Sequence, residues 1–156
     1  MEYAVGSKVV HPRFGAGTVT DIQQKSIGDQ RRTYYVIDPI SRSMELMVPV
    51  DLADGLGLRP AKGAPELRGM LSACSVTPQR DQIDDDRKAL REGMRQLLRS
   101  GQFSAVVELV RTLFYLNSER SLGSAERRLL NQGKEFLAGE LALALDSEVE
   151  EALQEV

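Results

Sequence analysis

The residues best suited to chemistry are five cations in one short stretch. Arg87, Lys88, Arg91, Arg95 and Arg99 fall within residues 87–99, against Glu92 alone. Arg91, Arg95 and Arg99 recur every four residues, so on a helix they share one flank. Such a flank neutralises phosphates without reading base sequence. On spacing alone it is more often the solvated face of a helix. Asp84, Asp85 and Asp86 precede it, and a run of carboxylates suits a helix N-terminus, where the macrodipole favours negative charge, better than a metal site. The single histidine, His11, has no serine, cysteine or carboxylate motif beside it and is expected as a barrel residue. One cysteine, Cys74, cannot form an internal disulfide and is expected as a small core residue. With one histidine and one cysteine, a zinc site of those ligands is not expected. Gly15 and Gly17 are not followed by a helix, so they do not form a phosphate loop. No acid–base or nucleophile set can be assembled, so the chain is expected to bind rather than catalyse, with no cofactor.

Two kinds of element must position these residues. Over residues 1–50 the pattern is β. Lys8 to His11 reads as a strand ended by Pro12, which cannot donate to a ladder. Phe14 to Gly17 bends the chain, and Thr18 to Ile22 reads as the partner strand. A turn at Ile27–Gln30 leads to a strand at Thr33 to Ile37, rich in aromatic and β-branched residues. Tyr34 and Tyr35 point to opposite faces of it. Asp38-Pro39 breaks that strand, and Ser43 to Val50 reads as the next. Four or five short strands with Gly and Pro turns indicate a Tudor- or SH3-like barrel with an edge open to a partner strand. Leu52 to Arg59 reads as a short helical turn plus linker, and residues 60–65 (PAKGAP) mark a boundary.

From Pro65 the pattern is helical. A short helix ends near Ser75. A second begins near Gln82 or Asp84, buries Ile83, Leu90, Met94, Leu97 and Leu98 on one face, and stops at Gly101. A third spans about Phe103 to Ser118. Gly123 opens a fourth, with Glu126 reaching back to cap it. Arg127 and Arg128 are expected on its surface. Ser147 and Glu150 have capping-box spacing for a last, acidic helix. The fold class is thus α+β in two domains, an all-β barrel at 1–60 and a bundle of about five helices at 61–156.

The hydrophobic fraction is 42%, enough for a globular core. The net charge of −3 argues against a general nucleic-acid coat, but charge is segregated. Residues 1–60 balance seven bases against seven acids, whereas 146–156 hold five acids and no base. No apolar run approaches the roughly 20 residues of a membrane span, so no membrane partner is expected. Met1 to Ala4 lacks a signal-peptide start, and a reducing, cytoplasmic setting is expected.

Three motifs carry a resemblance. One is V-G-x-x-V-V-x-P-x-x-G-x-G-x-V, from Val5 to Val19. The second is Val48-Pro49-Val50 followed by Gly55-Leu56-Gly57-Leu58-Arg59. The third is Ser118 to Glu126 (SERSLGSAE), followed by Leu137 to Leu143 (LAGELAL). In this order and spacing the chain resembles the CarD/CdnL family of bacterial RNA polymerase-binding transcription regulators, whose polymerase-interacting module is shared with transcription-repair coupling factors.

The resemblance implies a non-enzymatic regulator. The barrel would bind the RNA polymerase β subunit through a strand edge near Lys25, Glu45, Met47 and Val48. The helical domain would reach promoter DNA at the upstream fork, weakly and without sequence specificity, through Arg87, Lys88, Arg91, Arg95 and Arg99, and so tune open-complex stability. Lys25 keeps a basic residue of the family's polymerase-contacting strand, whereas Met47 replaces an arginine. The family's wedging tryptophan falls near Arg87, and the chain has no tryptophan, which makes it an atypical member. A monomer is expected. The alternative is a protein-only adaptor on the same scaffold, without useful DNA contact.

Overall fold

Alternating apolar residues in the first half and helical spacing in the second divide the chain into a sheet and a bundle. The computed structural model describes residues 2–72 and 86–156. Cys74, Ile83, Asp84, Asp85 and the expected helix end near Ser75 lie outside the described residues. Five antiparallel strands form one sheet: β1 (Lys8–His11), β2 (Gly15–Ile27), β3 (Gln30–Pro39), β4 (Leu46–Pro49) and β5 (Arg59–Pro60), in the order β4-β3-β2-β1-β5. A 3-10 turn, Val50–Leu52, follows β4. Among the described residues five α-helices follow: α1 (Ala64–Leu71), α2 (Arg87–Arg99), α3 (Phe103–Glu119), α4 (Ser124–Leu145) and α5 (Val149–Leu153).

Strand parity sorts the side chains into two cores. Val9, Val19, Tyr35, Ile37, Leu46 and Val48 face one side of the sheet and close on Tyr3, Ala53 and Leu58. Tyr3 is held there at both ends: its N–H donates to Tyr35 Oη at 3.0 Å and its hydroxyl donates to the Leu58 carbonyl at 3.2 Å. Val10 and its cross-strand partner Ala16 face the other way and join the helical core. That core is built on Phe103, Leu109, Leu113, Leu137 and Leu141, all fully buried. Burial of each contributes about 1.5–3 kcal/mol.

Several boundaries differ from the sequence reading. The second strand runs on to Ile27, in a long hairpin arm turned by Gly28 at φ 63°. β3 continues through Pro39, which pairs with Gly17 at the last rung, where a missing donor costs little. β4 starts at Leu46, not Ser43, because Leu46 pairs with Ile37 and the exposed residues Ser41–Glu45 form the turn. Arg59-Pro60 is a strand, not linker, paired with Val9 and Val10. The described part of α2 starts at Arg87, with Asp86 extended at its N-cap and Asp86 Oδ1 accepting from the Lys88 N–H at 3.0 Å. The Ser147–Glu150 box does not form. Asp146 turns left-handed at φ 53°, and α5 is entered from Glu148 instead.

Helix α4 docks on the outer side of the β1–β2 corner, where Gly139 lies against Ile40, Ser41 and Ala16. Gly101, at φ +69°, ends α2 against Pro12. A Cβ there would sit 2.8 Å from Pro12 Cα and Cβ, so the turn between α2 and α3 fits the sheet only without a side chain.

Candidate functional site

Two surfaces follow from this arrangement, and buried ion pairs hold them in place. The first surface is α2. At 100° per residue, Arg91, Arg95, Lys88 and Arg99 occupy an arc of roughly 80° beside the apolar stripe of Leu90, Met94, Leu97 and Leu98, and Arg87 stands at the first turn in line with the stripe. Met94 is buried and the other three are partly buried against the helical core, so the stripe fixes the cations outward. Arg87, Lys88 and Arg99 are exposed, and Arg91 and Arg95 are half-buried. Glu92, at the far rim, lies 3.6 Å from Arg95 and 3.7 Å from Arg99. Exposed pairs of that length are worth well under about 1 kcal/mol and would yield to a phosphate.

The second surface is the β4 edge. Among the described residues β4 pairs with β3 alone, so one side of its backbone has no strand neighbour there. Met47 is 37% exposed and Glu45 is exposed in the turn before it. Val48, expected with Met47 in the polymerase contact, lies on the same strand. Its side chain points into the sheet core and is 4% exposed, so it offers a partner only its backbone. Lys25 is not on the edge strand. It pairs with Arg32 on the exposed hairpin arm, beyond Tyr34, where the ladder with β4 ends. Lys25, Arg32, Tyr34 and Met47 share the outer face by parity.

The sequence reading gave no role to Arg59 or Glu140, and these form the joint between the two halves. Arg59 donates to both Glu140 oxygens, Nη1 to Oε2 at 2.9 Å and Nη2 to Oε1 at 2.6 Å. Arg59 Nε also donates to the Gly101 carbonyl at 2.8 Å, and the Lys62 N–H donates to Glu140 Oε2 at 2.8 Å. The Glu140 side chain is fully buried and that of Arg59 is 12% exposed. One clamp therefore binds β5, α4 and the end of α2. Its sequence signal is a lone carboxylate inside the apolar run LAGELALAL. Nearby, Lys8 Nζ of β1 donates to the Leu143 carbonyl at 2.8 Å and to Asp146 at 3.2 Å, a cation at the C-terminus of α4.

A second clamp fixes the start of α4. Glu126 caps the helix by accepting from the Gly123 N–H at 3.1 Å, as its spacing predicts. Arg120 adds a bidentate pair at 3.0 and 2.8 Å. These hydrogen bonds, that from Arg120 above all, hold the Glu126 carboxyl below the usual carboxylate range, and the charge of Arg87 adds to the effect. Arg127 and Arg128 are exposed, as expected. His11 is a structural barrel residue: its Nδ1 accepts from the Arg13 N–H at 3.0 Å, and burial, with the Arg13 charge, pushes its pKa down.

Among the described residues, no group of three or more His, Cys, Asp or Glu side chains is placed to hold a metal. No helix among them is long and apolar enough to cross a membrane. Among the described residues the arrangement offers cations and an open backbone edge.

Comparison with known proteins gives matches over both halves. Residues 3–61 match the CarD-like/TRCF RID domain, and residues 78–156 match the CarD C-terminal domain. Over 147 residues the chain is 25% identical to the Bacillus subtilis (strain 168) protein named "Putative transcription factor YdeB", an alignment covering 89% of this chain and 90% of that protein.

Proposed function

The chain belongs to the CarD family of transcription regulators, and from that premise we propose that it bridges the RNA polymerase β subunit and promoter DNA. The β4 edge, with Met47 and Glu45 beside it and Lys25 on the adjoining arm, docks on the β subunit by strand addition. The flank formed by Arg87, Lys88, Arg91, Arg95 and Arg99 lies along the phosphates of the upstream fork. The protein acts by binding, not catalysis. It shifts the balance between closed and open promoter complexes through its difference in affinity for the two.

One observation carries this reading. The helices pack on the β5–β1–β2 end of the sheet, through Arg59, Lys8 and Ala16, while β4 is the strand at the opposite end. The two surfaces can thus be occupied together. The departures from the family pattern fit a weaker version of the same device. Met47 brings no charge to the β-subunit contact, but backbone pairing does not need one. Arginine can enter a minor groove yet does not prise a base step apart as an indole does. The cations therefore clamp the fork rather than wedge it.

The test is binding to core RNA polymerase with and without a forked promoter fragment. The wild type is compared with a variant in which Arg87, Lys88, Arg91 and Arg95 are alanine. The expected result is that the fragment tightens wild-type binding and the variant loses only that gain. Polymerase binding indifferent to DNA would favour the adaptor reading. No binding to polymerase would sink the proposal.

A further inference from the structure

The cationic surface does not stop at α2. A groove of about 300 Å³ opens between the β1–β2 turn and α4, lined by Arg13, Phe14, Arg42, Leu98 and Gln132 among others. A second, also of about 300 Å³, lies between α2 and α4 and is lined by Arg95, Arg99 and Arg128. The two share Leu98 and Gln132 in their linings, so they adjoin along one face that runs from the barrel corner to the flank of α2. Five guanidinium groups line it, from both halves of the chain, against one lining carboxylate, Glu135.

The barrel arginines are pre-positioned. The guanidinium carbons of Arg13 and Arg42 each lie 5.4 Å from the centroid of the Phe14 ring, within cation–π range. Phe14 is in turn set by His11, whose ring lies 5.0 Å away. Arg13, Arg42 and Arg128 are exposed and have no ion-pair partner among the described residues. Two planar, unpaired guanidiniums held on an aromatic ring match phosphate oxygens better than flexible lysines would.

We propose that Arg13 and Arg42 form a second phosphate-binding site, on the barrel, which extends the track of α2 so that one DNA backbone runs from helix to sheet. This rests on the DNA-binding reading above. The occupant is the sugar–phosphate backbone of duplex DNA next to the fork. Phe14 orients the arginines and does not stack a base, because its ring already receives both of them.

The experiment is a salt titration of the full chain with a fluorescent forked promoter fragment. Each phosphate contact contributes about 0.9 to the slope of log K against log salt. The variant Arg13→Gln/Arg42→Gln is expected to lose about 1.8 from that slope and to bind roughly tens-fold more weakly near 0.1 M salt. Arg13→Lys/Arg42→Lys, which keeps the charge, is expected to recover most of the slope. Arg31→Gln/Arg32→Gln, the same charge change on the hairpin arm, is expected to leave it unchanged. An unchanged slope in the Arg13/Arg42 variant, with a reduced slope when Arg87, Lys88 and Arg91 are alanine, overturns this inference alone. An equal loss in the hairpin control also overturns it, since net charge would then explain the effect. No salt-dependent DNA affinity in the wild type overturns both readings. If a poly-glutamate peptide binds through Arg13 and Arg42 while the DNA slope does not move, the occupant is an acidic protein segment and the DNA assignment fails.

Discussion

Arg59→Met should be among the most damaging substitutions in the chain. It removes both hydrogen bonds to Glu140 and the one to the Gly101 carbonyl, and leaves the buried carboxylate with the Lys62 N–H at 2.8 Å. Leaving one partner of a buried ion pair without its mate costs about 3–5 kcal/mol. For a chain of this size each kcal/mol lowers the melting temperature by about 2–4 °C, which gives a drop of roughly 6–20 °C. The double variant Arg59→Met/Glu140→Leu replaces the pair with apolar side chains and should recover most of the loss, because such replacements are often close to neutral. Urea denaturation followed by circular dichroism, on wild type, both singles and the double, gives the coupling energy directly. A cost below about 1 kcal/mol for Arg59→Met would refute the clamp. So would a double variant as destabilised as the two singles added together, since the residues would then act independently.

Other consequences are open to measurement. Glu126 is held ionised in the folded chain at pH values where the unfolded chain takes up a proton, so its contribution is complete above about pH 4.5 and is lost as pH falls below that. Glu126→Gln should therefore flatten the dependence of melting temperature on pH between about 5 and 3. The depressed pKa of His11 acts at higher pH. Below about 6.5 the unfolded chain protonates first, so the fold loses stability as pH falls, and His11→Gln should lessen that slope in the same thermal melts. Gly101→Ala combines a left-handed φ with contact against Pro12 backbone, and should cost about 2–4 kcal/mol in urea denaturation. Met47→Asp, on the outer face beside the open edge, should weaken polymerase binding without lowering the melting temperature, since Met47 is 37% exposed.

The parts of this fold that depend on local chemistry were readable in the sequence. β-branched alternation around Val9 and Val36, turn glycines, and the apolar spacing of Leu90, Met94 and Leu98 mark strands and helices without a structure. The cap from Glu126 to Gly123 was legible for the same reason, three residues apart. What sequence does not show is pairing at a distance. Arg59 and Glu140 are 81 residues apart, and neither carries a local mark of its partner. β5, two residues ending in proline, looks like linker until Val9 and Val10 pair with it. That Val48 faces the core while Met47 faces out is settled by register, because a slip of one residue exchanges the two faces. The cations of α2 were legible as a flank, while their continuation through Arg13 and Arg42 appears only once α4 closes against the barrel corner.

The central claim is that this chain alters open promoter complexes by holding polymerase and DNA at once. The most direct measurement is the lifetime of open complexes after competitor challenge, with wild type and with the Arg87, Lys88 and Arg91 alanine variant, each at a concentration that saturates polymerase. The wild type should change the lifetime, and the variant should bind polymerase equally well and leave the lifetime as it is without added protein. A variant that changes the lifetime as fully as the wild type would contradict the account.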